Sequence, residues 1–258
     1  MKIKNMVHKC NDVIFISKSR YAENKKDRRR NPRKTVTTEK QRKINRRMAE
    51  KKLLMLLQLH FGMCGLHLVL SYENDPESKE RARKEIENFL RRLRYWYAKY
   101  GYEMKYIQVT EYENKRLHHH LIINSIKEIS VSDIQDKIWK NGFVRCTPFE
   151  KDGYYNELAA YLIKETSKTF NTTKRVFGKR YTSSRNLQLP EPTEEIKQGT
   201  ESDITDIPIT YTFEGKKYEL IKGSEYIGIN GYTGLVYSEY AMREMKPLRR
   251  RKNKKANT

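Results

Sequence analysis

The sequence predicts an α+β chain built around an antiparallel sheet. Three observations carry that expectation. Short apolar runs rich in β-branched residues recur at 65–72, 102–111, 117–124 and 142–149, with the lengths and bounding turns of strands. Stretches at 76–100, 132–140 and 156–165 have helical spacing or helix-forming composition. Read in order, these give β-α-β-β-α-β-α, the split βαβ of ferredoxin-like folds, with four antiparallel strands and helices on one face.

Each element has its own signal. Residues 12–17 suggest one short strand, and 18–52 form a basic arm. Residues 1–52 hold 19 Lys/Arg against 5 Asp/Glu, so +14 of the net +22 lies there. Within the arm, 38–59 has helix-forming composition and a Thr N-cap. Pro76 opens the next helix, whose Ile86, Phe89, Leu90, Leu93 and Trp96/Tyr97 make an apolar face. Gly101 is its natural C-cap. Ser132 starts the following helix, and Asn141-Gly142 ends it. Beyond the core, 190–206 is acidic with Pro and Gly and reads as a linker. Residues 207–240 alternate as strands do, with turns at Glu214-Gly215, Lys222-Gly223 and Asn230-Gly231, before a basic tail. The expected organisation is therefore a basic, partly helical N-terminal arm (1–60), a core domain (61–190), an acidic linker (191–206) and a small β-rich segment with a basic tail (207–258).

Composition narrows the function classes. With 37% hydrophobic residues in 258, the chain can bury a core of ordinary size. A net charge of +22 and pI near 9.8 point to nucleic acid or another polyanion as partner. Cys10, Cys64 and Cys146 are widely spaced and form no disulfide or zinc pattern, as in a reducing cytoplasm. No secretory signal pattern opens the sequence. The most apolar stretch, 53–70, is interrupted by Gln58, His60, Gly62, Gly65 and His67, which suits a helix running into a core strand better than a membrane span.

The chemistry concentrates in 106–124. Three of the six histidines stand together as His118-His119-His120, followed by Leu121-Ile122-Ile123. Side chains alternate along a strand, so His118 and His120 share one face and His119 takes the other. Glu111 closes the preceding strand, and a hairpin through 112–116 would bring its carboxylate to the pair. Two imidazoles and one carboxylate leave coordination positions open, as in a catalytic metal site. Downstream, Glu157, Tyr161 and Lys164 fall at i, i+4 and i+7 of a helix and make one polar stripe. A phenol, an ammonium and a carboxylate together suit phosphoryl transfer.

His-hydrophobe-His on a strand, followed by a helix bearing Tyr-x-x-Lys, resembles the HUH endonucleases, and more narrowly the rolling-circle replication initiators of phages and plasmids. Here His119 stands at the middle position. Gly65-Leu66-His67-Leu68-Val69-Leu70-Ser71-Tyr72 resembles that family's first motif. Arg180-Tyr181-Thr182-Ser183-Ser184-Arg185-Asn186-Leu187 is similar to replication-associated proteins of filamentous and related phages. The resemblance spans roughly 64–190 and implies an HUH core. It further implies a divalent metal, Mg²⁺ or Mn²⁺, on His118, His120 and Glu111, and a Tyr161 nucleophile assisted by Lys164. The implied activity is nicking and joining of single-stranded DNA at a replication origin through a 5′-phosphotyrosine, with host helicase and polymerase as partners in a bacterial cytoplasm. A mobilisation relaxase or single-strand transposase would share the site; a relaxase would need a third histidine, for which His8, His60 and His67 are available.

Several residues admit more than one role. Tyr154 and Tyr155 compete with Tyr161, which alone has a lysine three residues on. Glu157 either helps water finish the last transfer, as in some plasmid initiators, or is a surface residue favoured by the helix dipole. His67 reads as structural. Arg28, Arg29, Arg30, Arg180 and Arg185 read as phosphate contacts, whose affinity falls with salt. A basic, non-catalytic nucleic-acid-binding protein is the rival from another class.

Overall fold

A computed structural model describes residues 1–21, 39–62, 64–111, 116–150, 153–170, 179–230 and 233–246. The chain divides into two compact units, 1–30 with 190–258, and 31–189.

The second unit holds the expected core. Its strands are β3 (Gly65–Tyr72), β4 (Tyr106–Glu111), β5 (His118–Asn124), β6 (Gly142–Pro148) and the two-residue β7 (Thr182–Ser183). They form one antiparallel sheet in the order β6-β3-β5-β4-β7. Helix α1 (Glu39–His60) precedes β3, α2 (Lys79–Lys99) joins β3 to β4, and α4 (Asn156–Phe170) follows β6. Between β5 and β6, the expected helix is a single turn, α3 (Val131–Asp133), running into a π-turn over Ile134–Ile138.

Local chemistry sets these boundaries. The Ser78 hydroxyl accepts the Arg81 amide at 3.1 Å and starts α2. Gly101, at φ +78°, ends it: its amide donates to the Ala98 carbonyl while the Tyr102 amide donates to Tyr97. This paired bond is the Schellman cap that glycine adopts without steric cost.

Helices cover both faces of the sheet, where one face was expected. Ala82, Ile86, Phe89, Leu90, Leu93 and Tyr97 of α2 pack with Leu68, Leu70, Leu121, Ile123 and Trp139 on one side. Helix α4 packs on β4 and against α1 on the other. The reason lies in β5, where Leu121, Ile122 and Ile123 are all buried, so both pleat directions need an apolar cover.

The first unit corrects the expectation of a basic arm beginning at residue 1 and of an unstructured acidic linker. Residues 1–20 form the hairpin β1 (Lys2–Cys10) and β2 (Val13–Arg20). The expected linker contains β8 (Thr193–Gln198) and the one-turn α5 (Ser202–Thr205). With β9 (Thr210–Phe213), β10 (Lys216–Leu220), β11 (Tyr226–Ile229) and β12 (Val236–Glu244), they build a seven-stranded antiparallel sheet. Its main path runs β8-β1-β2-β12-β10-β9, and β11 pairs with β12. Val7, Ile14, Ile16, Tyr218, Tyr240 and Met242 are its core. Apolar side chains at both ends of the sequence satisfy one another, which gives a hairpin better burial than an exposed arm. The helix expected over 38–59 is present as α1, although its N-cap lies outside the described residues.

Candidate metal centre and tyrosine

The register of three strands assembles the site. Glu111 stands opposite His118 and Val109 opposite His120 across β4 and β5. Val69 stands opposite His120 across β3 and β5, with His67 opposite Ile122. Paired residues project to the same side of a sheet, so Glu111, His118, His120 and His67 share one face. His119 takes the other, as strand parity predicts.

The carboxylate is the hub. Glu111 Oε2 lies 3.0 Å from His118 Nε2 and 3.3 Å from His120 Nε2. Glu111 and His120 are buried and His118 is partly open. One ligand atom from each residue lies within 4.8 Å of the others, the spacing of a cluster able to hold a metal ion. The hydrogen-bond partners support that use. His118 Nδ1 meets the Arg116 carbonyl at 3.1 Å. A carbonyl only accepts, so it places a proton on Nδ1 and leaves the Nε2 lone pair of a neutral ring facing Glu111. A lone pair and a carboxylate oxygen at 3.0 Å call for a cation between them. Two nitrogens and one oxygen suit a divalent ion with open positions.

Helix α4 brings the tyrosine. The Tyr161 hydroxyl donates to Glu111 Oε2 at 3.4 Å, and its ring meets His120 edge-on with centroids 5.4 Å apart. Tyr161 is still 41% exposed, so a substrate can reach it. Glu157 and Lys164 are exposed on the same helix, one turn before and one turn after. The competitor Tyr155 is buried, its hydroxyl donates to the Glu150 and Gly62 carbonyls, and its ring lies over Phe149.

On the opposite face His119 is enclosed. Its Nε2 pairs with the Tyr72 hydroxyl at 2.9 Å and its Nδ1 with the Thr110 hydroxyl at 2.8 Å. Burial, with His118 and His120 beside it, pushes its pKa down to about 3, so it stays neutral. Gln108 extends this network, donating to Thr110 and accepting from Thr182 of β7.

Residue by residue, the structure gathers Glu111, His118, His120 and Tyr161 into one cluster. Arg185 is elsewhere. It lines a cleft of about 600 Å³ with Arg94, Tyr102 and Tyr106, and Tyr106 projects to the His119 face. Arg180 is partly buried, and that burial, together with Arg46, holds its pKa below the ordinary value. Arg28, Arg29 and Arg30 lie outside the described residues. His67, read from sequence as structural, stands beside the cluster: its Nε2 is 3.1 Å from His120 Nδ1. Burial, then the Arg145 guanidinium, holds its pKa below the usual imidazole value. The other two spare histidines are occupied, His60 at the Gln188 carbonyl and His8 at that of Pro190.

Fold and site thus define an α+β domain carrying a two-histidine, one-carboxylate cluster beside an accessible tyrosine. Residues 66–170, from the start of β3 to the end of α4, match the family model of the replication-associated protein ORF2. Over that stretch, less than half of the chain, the protein is similar to a replication-associated family, which points to a role in replication initiation and to DNA at an origin as partner. Comparison with curated proteins and with solved structures found no match. Among the described residues, no helix is long and apolar enough to cross a membrane.

Proposed function

We propose that the protein initiates rolling-circle replication by nicking and rejoining single-stranded DNA through Tyr161, as an HUH endonuclease does. The observation that carries this reading is the meeting of Tyr161, Glu111, His118 and His120 around one carboxylate oxygen. The strand order β6-β3-β5-β4 supports a ferredoxin-like core, since it is that fold's order with the first strand inside.

His118, His120 and Glu111 would hold the divalent ion, Mg²⁺ or Mn²⁺, which when bound polarises the scissile phosphate and neutralises developing charge. The remaining chemistry belongs to side chains. Tyr161 gives up its phenolic proton, and its oxygen attacks the phosphorus. The bond from phosphorus to the 3′-oxygen breaks, and that oxygen leaves as a 3′-hydroxyl after taking a proton. The product is a 5′-phosphotyrosine. Lys164, exposed one turn beyond Tyr161, neutralises the phosphate and orients it for in-line attack. Rejoining reverses the step when a 3′-hydroxyl displaces Tyr161, so no ATP is needed. Glu157, one turn before Tyr161 on the same exposed face, takes the proton of a water that ends the last cycle. The basic residues follow the backbone of the unpaired strand, and host helicase and polymerase extend the free end.

The test uses circular single-stranded DNA with Mn²⁺, followed by denaturation and detection of protein covalently attached to DNA. The expected adduct disappears with EDTA, with Tyr161→Phe, and with His118→Ala plus His120→Ala. An adduct that survives Tyr161→Phe moves the nucleophile to another tyrosine. Salt-sensitive binding without any adduct leaves a non-catalytic DNA-binding protein. A relaxase or transposase shares the adduct but differs in the attached sequence.

A further inference from the structure

We propose that His67 is a positioning residue: it accepts the Nδ1 proton of His120 and so presents the His120 Nε2 lone pair to a divalent cation. The inference rests on reading Glu111, His118 and His120 as that cation's site.

The two ligand histidines have the same layout. Each turns Nε2 toward Glu111 Oε2, at 3.0 Å for His118 and 3.3 Å for His120. Each turns Nδ1 away, toward a partner at 3.1 Å. For His118 that partner is the Arg116 carbonyl, which can only accept. For His120 it is His67 Nε2. Between two facing imidazole nitrogens one proton suffices, and it sits on one ring or the other. When it sits on His120 Nδ1, Nε2 is bare and can ligate. When it sits on His67, a neutral His120 must carry its own proton on Nε2, and ligation is blocked. An acceptor at His67 therefore selects the ligating tautomer and completes for His120 what Arg116 does for His118.

Geometry also fixes the ring. His67 stands opposite Ile122 in the β3–β5 register, on the same face as the Val69–His120 pair and two residues along β3 from it. The His67 and His120 rings are stacked, with centroids 5.3 Å apart and planes 29° apart. His120 is held on its other sides by His118 and Tyr161, edge to face at 5.0 and 5.4 Å. With Nδ1 hydrogen-bonded and both ring flanks filled, His120 has one orientation, and Nε2 points at the carboxylate. Arg145 faces the same side from β6, opposite Val69, and disfavours a charged His67.

Two measurements on the full-length protein test this. The first is calorimetric titration with Mn²⁺ alone. His67→Phe keeps a ring of similar size and removes the acceptor; it is expected to weaken Mn²⁺ binding roughly 10- to 100-fold, the usual effect of losing such a partner, with the thermal midpoint retained. His67→Gln supplies a side-chain carbonyl and is expected to recover most of the affinity. Wild-type affinity in His67→Phe overturns the proposal. The second measurement needs no variant. Long-range nitrogen–proton NMR of ¹⁵N-histidine-labelled protein saturated with Mg²⁺ reads which His120 nitrogen bears the proton. Protonation at Nδ1 is expected, and protonation at Nε2 overturns the proposal even if His67→Phe does not fold. Failure of the underlying site looks different. Wild-type protein that binds no Mn²⁺, or binding that survives His118→Ala with His120→Ala, sinks the cation site and the role of His67 with it.

Discussion

Three adjacent histidines have three different environments, and one residue of spacing decides which. His118 and His120 face Glu111, while His119 is sealed between Tyr72 and Thr110. This division makes a prediction that separates structure from chemistry. His119→Leu leaves two buried hydroxyls short of a partner and is expected to cost about 1–3 kcal/mol, read as a lower urea midpoint. Mn²⁺ affinity should hold, because the altered side chain is on the opposite face. Loss of Mn²⁺ binding in a folded His119→Leu protein would mean that the wrong pair has been assigned. Parity made the pairing legible from the triplet alone. The contact with His67 was not legible, because it depends on how β3 and β5 register across a separation of 53 residues.

At the scale of elements, most boundaries follow from local chemistry. The strand at Gly65–Tyr72 and the glycine cap after α2 lie where the sequence puts them. The segment after β5 departs from expectation, becoming one α-turn and a π-turn instead of a regular helix. Its start is a capping box, in which the Ser130 hydroxyl accepts the Asp133 amide and the Asp133 carboxylate accepts the Ser130 amide. The Lys137 ammonium, then the Ser130 donors, hold the Asp133 pKa down to about 2. The sign follows from that depression. The contribution is present above the ordinary carboxylate value and is lost as pH falls through about 2. Amide exchange across 131–138 should therefore accelerate in strong acid. In Asp133→Asn it should already be faster at neutral pH, and exchange rates equal to wild type at both pH values would discount the box.

For the whole molecule, the two units answer differently to truncation. An arm over 1–20 would be dispensable for folding. A hairpin inside a sheet is not: β2 lies between β1 and β12, and Val7, Ile14 and Ile16 are buried. Deleting 1–20 removes the ladder and three core side chains, each worth about 2–5 kcal/mol if truncated alone. Their sum rivals a domain's total stability of about 5–15 kcal/mol. The expected outcome is rapid proteolysis of residues 190–246 and loss of their protected amides. Unchanged protection would restore the arm.

What the sequence by itself determined is whatever short-range periodicity encodes. It set the sheet-and-helix order from β3 to α4, the face shared by His118 and His120, and the helix that carries Tyr161 with Glu157 and Lys164. Those features repeat every two or 3.6 residues and need no distant partner. Only the tertiary structure decided the rest. It set Tyr161 on Glu111 and His67 on His120, turned Arg185 to the other face, and closed residues 2–20 into one sheet with 193–244. Each of these depends on a pairing between segments far apart in the chain. Such pairings are chosen by the total burial and hydrogen bonding of the folded state, which no local pattern contains.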